Sequence, residues 1–286
     1  MSNTPQHYDR FNLAQRIEHI ILLVSFTALS ITGLPQMFSL QPWATFMIDA
    51  MGGIETVRII HRTSAVLLIV GTIYHFVAVA YRLYVRRVAM TMLPGLQDVK
   101  DGLQALGHNV GLVKTPPRMG RYNFGEKVEY WAVIWGTVVM VLTGFMLWNP
   151  IATTSFLPGQ FIPAAKAAHG GEALLAVLSI ITWHFYNVHV KRFNRSMFTG
   201  KISHEEMEEE HALELEEIER GQRLAADAEG VRRRRRLFTP AAAVITTILL
   251  IGLYFFVTYE QTAITTVPRQ EIDVFTPLTP APGAVQ

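Results

Sequence analysis

Ten histidines are spread through the 286 residues. Five of them, His19, His61, His75, His169 and His184, fall within or at the ends of strongly apolar runs. An ionisable side chain in such a run is costly to hold in lipid, so its default reading is functional. His61 and His75 are separated by 14 residues, and His169 and His184 by 15. On an α-helix, the first pair points within about 40° of one direction and the second within about 60°, each pair spaced about 21–22 Å along its axis. Each helix therefore carries one imidazole near either end, on a common side. If the two helices run the same way, their upper imidazoles can meet at one level and their lower ones at another. Two neutral imidazoles facing each other across a bundle interior are the axial ligands of a six-coordinate b-type haem, and two such levels make a di-haem path across a bilayer. Six-coordination leaves no open position for oxygen or substrate, so each haem carries electrons and does no bond chemistry.

The pattern has rivals. A single interfacial histidine is ordinarily a hydrogen-bonded packing residue, but two pairs at matched depth are poorly explained that way. A metal transporter would add carboxylates or sulfur ligands at mid-membrane. The apolar runs contain no Asp and no Cys, and the histidines lie towards the two faces. The inner level is over-supplied, because His19, His75 and His184 compete for two positions. His189, five residues past His184, is expected at the interface, and a third haem using His19 or His189 stays open. His7, His108, His204 and His211 lie outside the apolar runs and are expected to face water.

The elements that must position these residues are membrane helices. Half of the chain is hydrophobic, 17% is charged, and mean hydropathy is +0.24, against a soluble norm of about 25% charged. A span needs about 20 apolar residues, and Ile17–Phe38, Val57–Tyr81, Val128–Trp148, His169–Val190 and Leu237–Thr258 qualify. All five are expected to be helices, since isolated strands leave backbone groups unsatisfied in lipid. Of the 25 Lys and Arg residues, 21 fall on one side of this arrangement, leaving Arg58, Arg62, Lys166 and Arg269 near the other. Basic residues stay inside, so the N-terminus is cytoplasmic and the C-terminus outside. The first span follows sixteen mostly polar residues and has no small-residue cleavage site behind it, which marks a retained helix. With no cysteine there is no disulfide, no cysteine-bound iron–sulfur cluster and no covalently attached haem. The net charge of +2 does not point to nucleic acid.

Several local motifs mark the spans in order. Arg16-Ile-Glu-His19 opens the first span and Thr32-Gly-Leu-Pro35 closes it; His61-Arg62 heads the second. Tyr122-Asn-Phe-Gly-Glu-Lys127 with Tyr130-Trp131 leads into the third, which ends in Thr143-Gly144 and Trp148. His169 and His184-Phe-Tyr186 bound the fourth, and Ser196-Met-Phe-Thr-Gly200-Lys201 follows, ahead of Glu206…Glu210-His211. Together these resemble the di-haem cytochrome b membrane subunits of the formate dehydrogenase and thiosulfate reductase type, over roughly residues 11–211. It implies that His61 and His169 hold an outer haem, and His19 and His184 an inner one. It further implies a quinone site beside the inner haem, using His184, Asn123 and Gly125. The bland alternative for Asn123-Phe-Gly125 is a helix cap. His75 has no counterpart in that pattern, and its 14-residue spacing instead resembles cytochrome b of the quinol:cytochrome c oxidoreductases, where two helices supply all four ligands. The inner pair is therefore His184 with His19 or with His75, the resemblance favouring His19.

The expected molecule is an all-α integral membrane protein: a four-helix haem-binding bundle (1–202), a charged cytoplasmic helical segment (203–236), a fifth transmembrane helix (237–259) and an extended external tail (260–286). Its expected role is to pass electrons between an external redox subunit and menaquinone or ubiquinone in the bacterial inner membrane. An iron–sulfur/molybdopterin oxidoreductase or a multihaem cytochrome c would suit as that subunit. Arg58 and Arg62 are candidates for the outer haem propionates, and Arg16 or Arg82 for the inner ones. No P-loop, dinucleotide fingerprint or catalytic triad is present, so a primary substrate is handled elsewhere. The alternative from another class is a haem-free membrane anchor for a peripheral complex.

Overall fold

The computed structural model describes residues 7–191, 193–221 and 228–258. After a short strand β1 (His7–Asp9) come α1 (Leu13–Met37), α2 (Pro42–Ala50), α3 (Ile54–Tyr84), α4 (Leu96–Asn109), α5 (Phe124–Trp148) and α6 (Pro150–Thr154). Then follow α7 (Phe161–Ser179), which runs on as a π-helix over Ile180–Lys191, α8 (Ser196–Thr199), strand β2 (Lys201–Ser203), α9 (His204–Glu210), α10 (Ala212–Glu219) and α11 (Ala228–Thr258). Among the described residues five helices are long and apolar enough to cross a membrane: α1, α3, α5, α7 with its π extension, and α11. The protein is thus an all-helical, multi-pass membrane protein with five spans.

Helices α1 and α5 start ahead of their apolar windows, at side-chain caps. At α1 the Asn12 side chain accepts from the Gln15 amide while the Gln15 side chain accepts from the Asn12 amide. Asn123 and Glu126 repeat the device at α5. His169 does not open its helix as the apolar window suggests; α7 begins eight residues earlier, at Phe161, with no side-chain cap. Likewise α11 begins ahead of the arginine run Arg232–Arg236, and Arg234 Nε donates to the Val85 carbonyl at 2.9 Å.

Helix α1 packs along α3 and against α7, α5 packs along α7, and α11 lies on the outside of α3. At the outer end of α11 the Phe256 ring lies 5.4 Å from Phe145 and 5.1 Å from Trp148. Contacts inside the bundle use small and hydroxyl residues, with Ser25, Thr32 and Thr143 buried, while Leu23, Val24, Ile59, Leu142 and Leu175 point outward. That inversion suits lipid, where close backbone approach and not apolar burial holds helices together. Helix α4 turns its polar side to the bundle through an Asp98–Lys127 ion pair at 2.7 Å and leaves Leu96, Val99, Leu103 and Leu106 exposed. A helix so divided, joining two spans at their cytoplasmic ends, has the form of an in-plane interfacial helix.

The cytoplasmic side is closed by a small cap. β1 and β2 pair antiparallel in the register His7↔Ser203, Tyr8↔Ile202 and Asp9↔Lys201. Ile202, Met207 and Leu215 form its core, with Tyr8 and Ile218 packed against them. Gly200 ends α8 at φ +79, accepts from the Arg10 and Phe11 amides, and has the Phe11 carbonyl 2.8 Å from where a Cβ would stand. Only glycine serves there. The stretch expected as a solvated charged helix is instead broken into α9 and α10 and folded onto the loop before α5. Arg10 is buried between Glu214 (3.0 Å) and Glu126 (3.3 Å), and Arg121 also reaches Glu214. His211, expected to face water, is only 1% exposed and donates Nδ1–H to the Gly120 carbonyl at 3.0 Å. The expected boundary at 202/203 falls inside β2. Residues 222–227 of the charged segment and the 260–286 tail lie outside the described residues.

Candidate functional site

The bundle brings four of the five apolar-run histidines together in two pairs. His61 of α3 faces His169 of α7 with ring centroids 6.4 Å apart, and His19 of α1 faces His184 of the π-helical stretch, also at 6.4 Å. The first pair lies towards the outer end of the bundle and the second towards the inner end. The π geometry matters here. A uniform α-helix would leave His184 about 60° out of phase with His169. The wider i→i+5 turns that begin at Ile180 advance fewer degrees per residue and reduce that offset.

Three of the four rings have their backs held. Thr32 Oγ1 lies 2.9 Å from His61 Nδ1 and donates its own hydrogen to the Ala28 carbonyl at 2.6 Å. Thr143 Oγ1 lies 2.8 Å from His169 Nδ1 and donates to the Val139 carbonyl at 2.7 Å. A hydroxyl has one hydrogen; with that spent on the backbone, each threonine can only accept from Nδ1–H. The tautomer is then fixed, and each Nε2 keeps its lone pair. Glu129 Oε2 accepts from His184 Nδ1 at 2.9 Å with the same consequence. His19 Nδ1 is buried with no hydrogen-bond partner among the described residues. Glycines let the outer rings in: a Cβ on Gly33 would stand 3.1 Å from His61 Cε1, and one on Gly144 would stand 3.4 Å from His169 Cε1.

His75 is not brought to face His184. Its Nδ1 pairs with Glu18 at 2.7 Å and its Nε2 with the Tyr130 hydroxyl at 2.9 Å, so both nitrogens are committed. His189 lies between Phe185 and Phe193, the ring planes tilted by 50° and 45°. Asn123 caps α5, and Gly125 lets this turn press on Trp183, whose Cζ2 is 3.4 Å from where a Cβ would stand, next to His184. At the outer end the Arg62 guanidinium lies 4.7 Å over the Trp148 ring. Trp148 Nε1 and both amide atoms of Asn149 are buried there without a partner among the described residues. Arg58 pairs with Glu55, and Arg16 donates to the Phe198 carbonyl.

Histidine spacing alone does not point to Glu18, Glu129, Thr32 or Thr143. The signal that does is a repeat: Glu18 precedes Thr32-Gly33 by 14 residues, and Glu129 precedes Thr143-Gly144 by 14. Each Glu-to-Thr-Gly helix lies against a helix with two histidines, the threonine meeting the outer one and the glutamate the inner one. In this repeat Tyr130 takes the place of His19, each being the residue after the glutamate.

The residues suit a metal held between rings. Metal–imidazole bonds of about 2.0 Å, with about 1.1 Å from each nitrogen to its ring centre, put two axial imidazole centroids roughly 6 Å apart. The fold defines the class of protein, a multi-pass, all-helical membrane protein, and the opposed pairs suit a metal-centred group held between imidazoles. A family model described as prokaryotic cytochrome b561 matches residues 2–95, and that family implies haem b. Over 222 residues, 78% of this chain and 96% of the relative, the chain is 22% identical to the cytochrome b556(Fdn) subunit of the nitrate-inducible formate dehydrogenase of Escherichia coli K12. It is 26% identical over 180 residues, 62% of this chain and 76% of the relative, to the cytochrome b556(fdo) subunit of the same organism. With the formate dehydrogenase cytochrome b556 subunit of Haemophilus influenzae it shares 22% over 197 residues, 68% and 76% of the two chains. The chain is thus similar to formate dehydrogenase cytochrome b subunits, as its residues imply. It is an electron-transport protein of the bacterial inner membrane.

Proposed function

We propose that this chain is the membrane conduit of a quinone-linked oxidoreductase, passing electrons between a partner on the external face and quinone near the cytoplasmic face. The observation that carries the reading is the pair of imidazole couples, each at 6.4 Å, at opposite ends of one bundle. Two haem b groups are assigned, the outer to His61 and His169 and the inner to His19 and His184. Bound there, haem b supplies a one-electron ferric/ferrous couple. The chain's own residues do the rest. Thr32, Thr143 and Glu129 hold Nδ1–H and turn Nε2 inward. Trp148 Nε1, Asn149 and Arg62 gather at the outer end, where donors for propionate carboxylates are needed. His75, with both nitrogens engaged, is left out of the ligand set.

For quinone, the Asn123 side-chain NH2 can donate to a ring carbonyl while its oxygen caps α5, with Gly125 and Trp183 forming the apolar wall. Menaquinone or ubiquinone both fit this description. The relatives' names point to a formate dehydrogenase type of catalytic partner; an iron–sulfur/molybdopterin oxidoreductase or a multihaem cytochrome c would fit the external face. Reduction of quinone at the inner level by electrons from outside moves charge across the membrane, and the reverse flow consumes the potential.

Reduced-minus-oxidised optical spectra of the purified protein test the reading. Two low-spin b signals are expected. His61→Ala and His169→Ala should each remove the same signal, His19→Ala and His184→Ala the other, and His75→Ala neither. A haem-free preparation from haem-sufficient cells makes the chain an anchor, and loss of the inner signal in His75→Ala reassigns the inner pair.

A further inference from the structure

The histidine pairs differ in what stands behind them. Both outer rings, His61 and His169, rest on threonine hydroxyls whose hydrogens are spent on backbone carbonyls, so their Nδ1–H groups meet neutral acceptors. At the inner pair His184 meets a carboxylate, Glu129, at 2.9 Å. Both of these inner side chains are about one-third exposed in the isolated chain. They lie inside membrane helices, where the surroundings are hydrocarbon and the interaction is poorly screened.

A carboxylate behind a ligating imidazole raises its basicity and pushes electron density towards the metal; a hydroxyl with no proton to share does this far less. Greater ligand basicity, and a nearby negative charge in a low dielectric, both favour the oxidised, more positive form of a bound iron. We propose that Glu129 is a positioning residue that sets the inner haem at a lower reduction potential than the outer one. Thr32 and Thr143 leave the outer haem high. This rests on the assignment of two bis-histidine haems above, and it adds an order to them: an electron rests more stably at the outer level than at the inner.

Redox titration of the purified full-length protein, followed optically, tests this. Glu129→Gln keeps a hydrogen-bonding side chain of the same shape and removes the charge. The lower-potential signal, identified as the one lost in His19→Ala, should move positive by at least tenfold in its oxidised-to-reduced equilibrium, about 59 mV for a one-electron couple, while the outer signal stays in place. Thr143→Val is the matched control and should shift only the outer signal. If wild type lacks two low-spin b signals, the functional reading itself fails. Should both signals be present and Glu129→Gln move neither, or should the His19-dependent signal prove the higher of the two, the inference is overturned while the conduit stands. A Glu129→Gln protein that loses the inner haem altogether would also overturn it, since Glu129 would then be needed to build the site.

Discussion

At the scale of residues, the site is made by second partners as much as by histidines. An imidazole alone has two tautomers, and the accepting threonine or glutamate selects the one whose Nε2 can bind metal. The glycines beside the rings are equally specific. Gly33→Val and Gly144→Val would drive side chains into His61 and His169, at a cost of about 1–3 kcal/mol for overpacking. Weakened or lost outer haem signal is expected with the inner signal intact. Gly171→Val on α7, whose Cβ would meet nothing within 4 Å, should leave both signals unchanged. The histidines were legible in the sequence because ionisable groups stand out in apolar runs. Their pairing was not fully legible: His19 and His75 have equal claims by depth, and the structure separates them by setting His19 opposite His184 and engaging His75 with Glu18 and Tyr130.

At the scale of elements, apolar length reveals spans but not their ends or phases. All five spans were legible, yet α7 starts well before His169 and its inner half is a π-helix, which periodicity at 3.6 residues per turn cannot reveal. The cytoplasmic cap was hidden for another reason. Its core joins β1, near the start of the chain, to α9 and α10, and the acidic stretch that supplies these reads as solvated until Arg10 and Arg121 are seen against Glu214. His211 lies among these groups. Burial first, and then the Arg10 charge, push its pKa from 6.5 down to about 4, against opposing contributions from the Gly120 carbonyl, Glu210 and Glu214. The sign follows from linkage: the unfolded cap binds this proton more tightly than the folded one. The stability it contributes is present above about pH 6.5 and is lost as pH falls towards 4, on the order of 3 kcal/mol in all. Limited proteolysis in the 203–221 segment should therefore quicken between pH 7 and pH 5 in wild type, and His211→Gln should flatten that dependence.

At the scale of the molecule, the four histidine-bearing or histidine-backing helices make the site, and α11 stands outside it. Helix α11 packs on α3 and on the outer end of α5. Removing the chain from Ala228 onward should keep both haem signals and lower the thermal midpoint, as measured by loss of the haem spectrum on heating. Loss of either haem at ambient temperature would show instead that α11 helps to shape the bundle. The repeat of Glu, Thr-Gly and paired histidines in α1/α3 and α5/α7 gives the molecule an approximate two-fold plan, broken where Tyr130 stands in place of a counterpart to His19.

The strand pairing of His7–Asp9 with Lys201–Ser203 also has a temporal meaning. Ribosomes add about 5–20 residues per second, so the leading segment waits some tens of seconds before its complement exists. During that interval four spans enter the bilayer while His7–Asp9 have no strand to pair with. Joining the two strands needs all four intervening crossings to have been made in the proper sense, and it can precede the fifth.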